Sequence, residues 1–360
     1  MTITSTLPRV RRSSGFLLAG GALAAVSAGA TLLLGGLQTN YEKARVFEVS
    51  YSTESSTETL KMEVMRNGEP MDRGGRGGGE RTQTFELAYT DTVLEAADGS
   101  PSKTQRVFDS IGGDSSSEGR DGPVERSLES AFDGLTLVLS ESAGEVKIEV
   151  TDGDAPDEDR LQGHSLRLPL DGLMPKESVE VGAEWEIEGL AFLAAIGTDL
   201  QTKLTDPAER GGGGERGGRG GGGGGQRGQR GGQRGGGGNG MLAQGDWTIT
   251  ATLTDETRDV DGVSCAVIKI EADVEGEPEA GGGGRGGMQT DRSFEGTFEG
   301  ELLFCTEKSY PVSLDVSGSY QLSADMSSDS DRGSFEMSSI VETTITANVT
   351  VGASTASSDD

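Results

Sequence analysis

Between Trp247 and Thr254 the chain alternates without interruption: Trp247, Ile249, Ala251 and Leu253 take every odd position and threonine takes every even one. Successive side chains of a strand point to opposite faces, so this run reads as a β-strand with one dry face and one wet face. The same period continues through Ile268, Ile270, Ala272 and Val274, then Phe294, Phe298, Leu302 and Phe304, then Val312, Leu314, Val316, Tyr320 and Leu322. Phe335, Met337, Val341, Ile345, Val349 and Val351 close the series, a run of 17 residues. At about 3.3 Å per residue such a strand exceeds 50 Å, longer than ordinary globular strands, and long twisted strands imply a sheet that curls.

The first half is less regular, with strands expected around Phe47 to Tyr51, Leu60 to Met65, Phe85 to Val93, Arg106 to Phe108, Leu135 to Leu139 and Val146 to Val150. Asp98-Gly99, Asp133-Gly134, Asp152-Gly153 and Asp261-Gly262 supply residues that tolerate positive φ in tight turns. One short apolar helix is expected near Leu190 to Ile196. The expected fold is mainly β: a curved antiparallel sheet, half-barrel or barrel-like, whose dry face is covered by its own curl or by that helix.

No charged residue lies between Arg12 and Glu42, and Phe16 to Leu37 is built almost wholly from Leu, Ala, Gly and Val. Arg9, Arg11 and Arg12 precede this stretch, an arrangement that keeps the amino terminus in the cytoplasm and sends the rest of the chain across the membrane. Its 22 residues make roughly 33 Å of helix against a bilayer core of about 30 Å, enough to remain as an anchor. Val26-Ser27-Ala28 and Ala28-Gly29-Ala30 also offer the small residues of a cleavage site, which would release a soluble protein. The apolar run continuing through Leu32, Leu33 and Leu34 favours the anchor. The expected location is therefore the periplasm or cell envelope, with the membrane as a partner through residues 16–37 if they are retained.

Sixty acidic residues face 31 basic ones, for a net charge of -29. A nucleic acid would be repelled by such a chain. Three Gly-Arg tracts, Arg73 to Gly79, Arg210 to Gly240 and Gly281 to Gly287, have no apolar side to bury and read as disordered excursions. The longest carries Arg216, Arg219, Arg227, Arg230 and Arg234 but no Phe or Tyr to stack on bases, which argues against RNA binding. The chain thus divides into an export signal or anchor (1–40), an N-terminal β part (41–208), a Gly-Arg insertion (209–240), a C-terminal antiparallel meander (241–352) and an acidic tail (353–360).

Leu173-Met174-Pro175 followed by Val179, Val181-Gly182 and Trp185 forms a Leu-x-Pro, Val-x-Val-Gly-x-x-Trp pattern. It resembles a group of exported bacterial β-sheet proteins, and the overall shape is similar to the half-barrel of lipoprotein-carrier proteins. That resemblance implies a curved sheet cupping a helix, able to shelter a lipid chain; relatives commonly have Gly-Asp where this chain has Gly182-Ala183. From the residues themselves, Gly182 permits a sharp turn and Trp185 fills the core.

Catalytic patterns are missing. His164 is the single histidine, in Gln162-Gly163-His164-Ser165, and no Gly-x-Ser-x-Gly elbow, His-Glu-x-x-His, phosphate-binding glycine loop or Cys-x-x-Cys is present. Asp152, Asp154, Asp157 and Asp159 form the densest acidic cluster, a weak calcium candidate interrupted by Pro156, or else a solvated turn. Cys265 and Cys305 each sit at the parity opposite to their strand's apolar set, so they share a face if the strands are neighbours; a disulfide or two small core thiols are the alternatives. No cofactor is implied. The expected function is non-catalytic: an exported envelope protein that binds an apolar ligand or lipid within a curved sheet, with Trp247, Phe294, Phe298 and Phe304 lining the site. The alternatives are an envelope scaffold with a filled core and a carboxylate-dependent hydrolase.

Overall fold

The computed structural model describes residues 36–71, 79–119, 122–142, 144–198, 200, 204, 239–278, 289–330 and 333–355. The Gly-Arg tracts expected at 73–79, 210–240 and 281–287 fall almost entirely outside these residues, as does the apolar segment up to residue 35. Among the described residues no helix is long and apolar enough to cross a membrane. Leu37, at the end of the segment expected to anchor the chain, is instead fully buried in the protein core.

Alternating sequence becomes one large curved antiparallel sheet of 14 strands. Its amino-terminal strands are β1 (Arg45–Arg66), β2 (Glu69–Pro70), β3 (Arg81–Ala97), β4 (Ser100–Gly112), β5 (Asp114–Gly119), β6 (Gly122–Ser127), β7 (Thr136–Ser142) and β8 (Glu145–Asp152). After a long connection come β9 (Glu184–Glu186), β10 (Asp246–Val260), β11 (Val263–Gly276), β12 (Gln289–Cys305), β13 (Tyr310–Ser330) and β14 (Gly333–Thr355). The spatial order is β8-β7-β4-β3-β1-β14-β13-β12-β11-β10-β9. The N-terminal β part and the C-terminal meander are therefore one sheet, joined where β1 pairs with β14 from Arg45↔Thr355 to Arg66↔Phe335.

Two strands expected at Phe47–Tyr51 and Leu60–Met65 are one strand, β1. The stretch between them is Ser52 to Thr59, with no Gly, Pro or Asn to turn the chain, and it pairs on both sides, with β14 and β3. A bulge at Leu60 marks the join, where the register shifts between Thr59 and Lys61. Tight hairpins follow the expected chemistry: Asp98-Gly99 (φ 51° and 74°) and Asp261-Gly262 (φ 55° and 80°) have the two consecutive positive φ values of a type I′ turn.

The inner face is the dry one. Phe47, Val49 and Tyr51 of β1, Phe85, Leu87 and Tyr89 of β3, and Ile268, Ile270 and Phe298 across the other wing belong to one buried cluster. Glycine makes room for one of the buried rings: Phe298 lies directly opposite Gly318, where an added Cβ would come within 2.4 Å of both the Phe298 ring and the Thr297 carbonyl oxygen. Gly318→Val must therefore part β12 from β13 or displace the ring. It is expected to destabilise the fold by about 2–3 kcal/mol in urea titration, since core positions penalise overpacking.

What covers the inner face is the connection from β8 to β10, which passes through the short edge strand β9. It carries α1 (Glu158–Leu161), a 3₁₀ turn (Pro169–Leu173) and α2 (Gly189–Ala195), with α3 (Asn239–Leu242) leading into β10. Helix α2 lies where the sequence places an apolar helix and buries Phe192, Leu193 and Ala195. It touches both wings of the sheet. Gly189 approaches Trp247 of β10 closely, and Gly197, just past the helix, approaches Tyr51 of β1. A sheet that meets one short helix from strands so far apart in its order must be cupped around it.

Cys265 and Cys305 are joined by a disulfide across β11 and β12, one step beyond the Ala266↔Phe304 pair. The bridge links residues 40 apart in sequence, a constraint worth about 4 kcal/mol in the chain-entropy model. Arg258 pairs with Cys265 in register and reaches over to Glu301, at 2.5 and 2.8 Å, so a salt bridge lies beside the disulfide on the outer face.

Candidate ligand-binding cleft

The four aromatic residues expected to line an apolar cavity are packed against the chain itself. Phe294, Phe298 and Phe304 are buried, and Trp247 is half-buried with its Nε1 donating to the Leu242 carbonyl at 2.8 Å. The Phe192 ring of α2 stands 5.5 Å from Trp247 and 6.1 Å from Phe298, and Trp247 and Phe298 are 5.6 Å apart. Those separations are ordinary aromatic packing distances. The dry face is filled at this point because the connection carries an aromatic residue of its own into it.

The acidic cluster is described only in part. Asp152, Asp154 and Asp157 are exposed along the turn between β8 and α1, and the side chain of Asp159 lies outside the described residues. Among the described residues no group of three or more His, Cys, Asp or Glu side chains is arranged to hold a metal ion.

His164 occupies a buried polar site. Arg106, on the dry parity of β4, forms two 2.7 Å hydrogen bonds to the carboxylate of Asp91, on the dry parity of β3, and donates to the Ser165 carbonyl at 3.1 Å. Its guanidinium lies 4.3 Å from the centre of the Tyr89 ring and 3.5 Å from His164 Nδ1. Burial pushes the Asp91 carboxyl up while the guanidinium pulls it down, and the carboxylate in turn raises Arg106 against its own burial. A two-pronged contact of this kind holds both groups charged. The pair ties the loop at Ser165 to the sheet. Sequence reasoning missed it, although an Asp between Tyr89 and Val93, and an Arg between Thr104 and Phe108, both break the apolar parity and were the available signal.

The cleft lies at one end of the cup, beyond the filled core. Its volume is about 1000 Å³, at the upper end of small-molecule sites. One wall is the extended segment Gln38–Tyr41; the other is the loop from Asp171 to Val179 with Trp185 of β9 and Ala191 of α2. This is the Leu-x-Pro, Val-x-Val-Gly-x-x-Trp stretch. Met174, Pro175, Val179, Trp185 and Ala191 give the cleft an apolar side, while Arg167, Lys176, Glu177, Glu186 and Glu188 give it a charged mouth. Gly182 has φ +85°, and its N–H donates to the Leu253 carbonyl at 2.7 Å, which brings β9 back against β10. Trp185 Nε1 donates to the Leu173 carbonyl at 2.9 Å, so the indole fixes the loop as well as lining it.

The floor is polar and fully engaged. Asp171 accepts from Tyr41 Oη at 2.5 Å and from Thr39 Oγ1, and Tyr41 Oη itself accepts from the Leu168 N–H at 2.6 Å. Burial raises the Asp171 carboxyl above its ordinary value, with the two hydroxyl donors and Arg167 opposing that rise. Gln38 Nε2 donates to the Lys176 carbonyl at 3.2 Å. The segment just after the apolar amino-terminal stretch is thus part of the folded unit and shapes its cleft.

No family model matches this chain, and no curated protein matches it. Among solved structures, the chain is similar to an outer membrane channel from Pseudomonas putida F1, at 8% identity over 88% of this chain and 98% of that one. The TM-score is 0.18, too low to bear on fold or activity.

Proposed function

We propose that this is an exported, non-catalytic binding protein of the cell envelope, whose ligand sits in the cleft between Gln38–Tyr41 and the Asp171–Trp185 stretch. One observation carries the reading: the cleft has an apolar wall, a charged mouth and a rigid hydrogen-bonded floor, whereas the interior behind it is filled by Phe192. Such a cavity suits a molecule with an apolar body and a polar head. A lipid chain threaded between Trp247 and Phe298, as in an open half-barrel, would require α2 to leave.

The chain has two tryptophans, so a Trp247→Phe variant keeps Trp185 in the cleft as the single indole. Titration of that variant with single-chain amphiphiles below their micelle concentration is expected to shift Trp185 emission to the blue, and Met174→Asp to abolish the shift. Emission unchanged across anionic, zwitterionic and cationic amphiphiles would remove the cleft reading. It would leave the scaffold reading, which the packing of Phe192 against Trp247 and Phe298 favours.

A further inference from the structure

The two ends of the strand order are not alike. At one end β9 is three residues long and its Trp185 lines the cleft. At the other end β8 is eight residues long, has no proline and, among the described residues, pairs only with β7. Such an edge presents a row of unpaired N–H and C=O groups that another strand can join. Val146, Ile148 and Val150 stand opposite Glu141, Leu139 and Leu137, and both leucines are fully buried. The dry parity of the sheet therefore reaches β8 and is left uncovered there: Val146 is 42% exposed, and Ile148 and Val150 are half-buried. Glu145, Lys147 and Glu149, at the other parity, are exposed.

This edge is complementary to itself. Two copies of β8 placed antiparallel about a two-fold axis at Ile148 set Lys147 of each opposite Glu149 of the other, Val146 opposite Val150, and Ile148 opposite Ile148. Residues directly opposite share a face, so two opposite-charge pairs fall on the wet side and an apolar row on the dry side. Moving the axis to Lys147 sets that lysine against its own copy and Glu145 against Glu149. Moving it to Glu149 sets two glutamates together and carries Lys147 onto Thr151, where the register with β7 slips between Val150 and Asp152. Like charges directly opposite destabilise a strand pair, which leaves the Ile148 register as the attractive one of the three.

We propose that β8 is a homodimerisation edge, to which a second copy of this chain adds its own β8 in the Ile148 register, making one continuous sheet of two. The contact is isologous, as two-fold dimers require. Pairing Val146 to Val150 on each side forms about four to six backbone hydrogen bonds. It buries less than the roughly 1,200 Å² of a standard interface, so the dimer is weak and depends on concentration. The net charge of -29 repels two copies at a distance. Salt at about 0.15 M confines that repulsion to about 8 Å. None of the residues lining the cleft belongs to β7 or β8, so the dimer and the ligand reading stand or fall separately.

The test is sedimentation velocity of the chain purified from an exporting host, at about 0.15 M salt and across the micromolar concentration range. A monomer–dimer equilibrium is expected. Lys147→Glu and Glu149→Lys each set like charges opposite one another twice and are expected to weaken the dimer about 10-fold or more. Both side chains are exposed, so the fold survives either change, which circular dichroism checks. An equimolar mixture of the two single variants brings opposite charges together again at both positions and is expected to dimerise like the unsubstituted chain. A chain that stays monomeric throughout, a dimer indifferent to both single variants, or a mixture no stronger than its components would overturn the proposal.

Discussion

Arg106→Leu is expected to destabilise the fold by about 3–5 kcal/mol, because it leaves the Asp91 carboxylate buried without its counter-charge. Asp91 and Arg106 are 2% and 4% exposed, and each carboxylate oxygen accepts a guanidinium hydrogen bond at 2.7 Å. No rearrangement of surface side chains can hydrate the orphaned charge. Asp91→Leu combined with Arg106→Leu removes both charges and is expected to recover most of the loss, short of what the Tyr89 stacking and the Ser165 contact contribute. Urea unfolding of the single and double variants decides it. A single variant that costs less than about 1 kcal/mol would show that water reaches Asp91 and that the inner face is looser than described.

The second large effect is at alkaline pH. Burial raises the hydroxyls of Tyr41, Tyr51 and Tyr89 above the ordinary tyrosine value of 10.0, and for Tyr41 the Asp171 carboxylate raises it further. In the unfolded chain these groups lose their protons near pH 10, whereas in the folded protein they keep them. The folded state then binds more protons, so stability is full below pH 10 and falls as pH rises above it. Each tyrosine contributes a slope of about 1.4 kcal/mol per pH unit, so three together remove about 4 kcal/mol per unit. Tyrosinate absorbance and circular dichroism are expected to change in a single step above pH 10. Gradual ionisation of three or more tyrosines in a protein that stays folded would contradict the burial of this cluster.

The pattern of the sheet was legible because period-two alternation depends only on neighbouring residues. Trp247 to Leu253 and Ile268 to Val274 could be assigned to strands with the correct face inward, and Asp98-Gly99 and Asp261-Gly262 marked hairpins. The apolar Leu190 to Ile196 helix was equally plain. What joins distant parts of the chain was not legible. Nothing local tells that β1 lies beside β14, and without that pairing the two halves read as separate β parts. The same applies to Tyr41 and Asp171, which are 130 residues apart in sequence and meet through a single hydrogen bond at the floor of the cleft.

The cleft itself was half visible. The Leu173 to Trp185 pattern drew attention to one wall, but most of the opposite wall, Gln38 to Asn40, was counted with the export segment because hydropathy continues unbroken to Leu37, and Tyr41 with the β part that follows. Conversely, Trp247, Phe294, Phe298 and Phe304 offered an apolar face whose fate depended on what packs over it. Phe192, inside a short apolar helix, decides that, and its partners could not be read from spacing. The Leu60 bulge is a similar case: one extra residue reverses which residues of β1 face inward, and only the register with β14 reveals it.

The account's central claim is that the cup is filled by its own connection and that a ligand is held at the cleft. Native mass spectrometry of the chain purified from an exporting host, compared with its Met174→Asp and Phe298→Leu variants, tests it most directly. The predicted result is a small-molecule adduct that survives Phe298→Leu, a change in the filled core, and is lost with Met174→Asp, a change in the cleft wall. An adduct lost with Phe298→Leu in a folded protein and kept with Met174→Asp would place the ligand inside the cup and contradict the account.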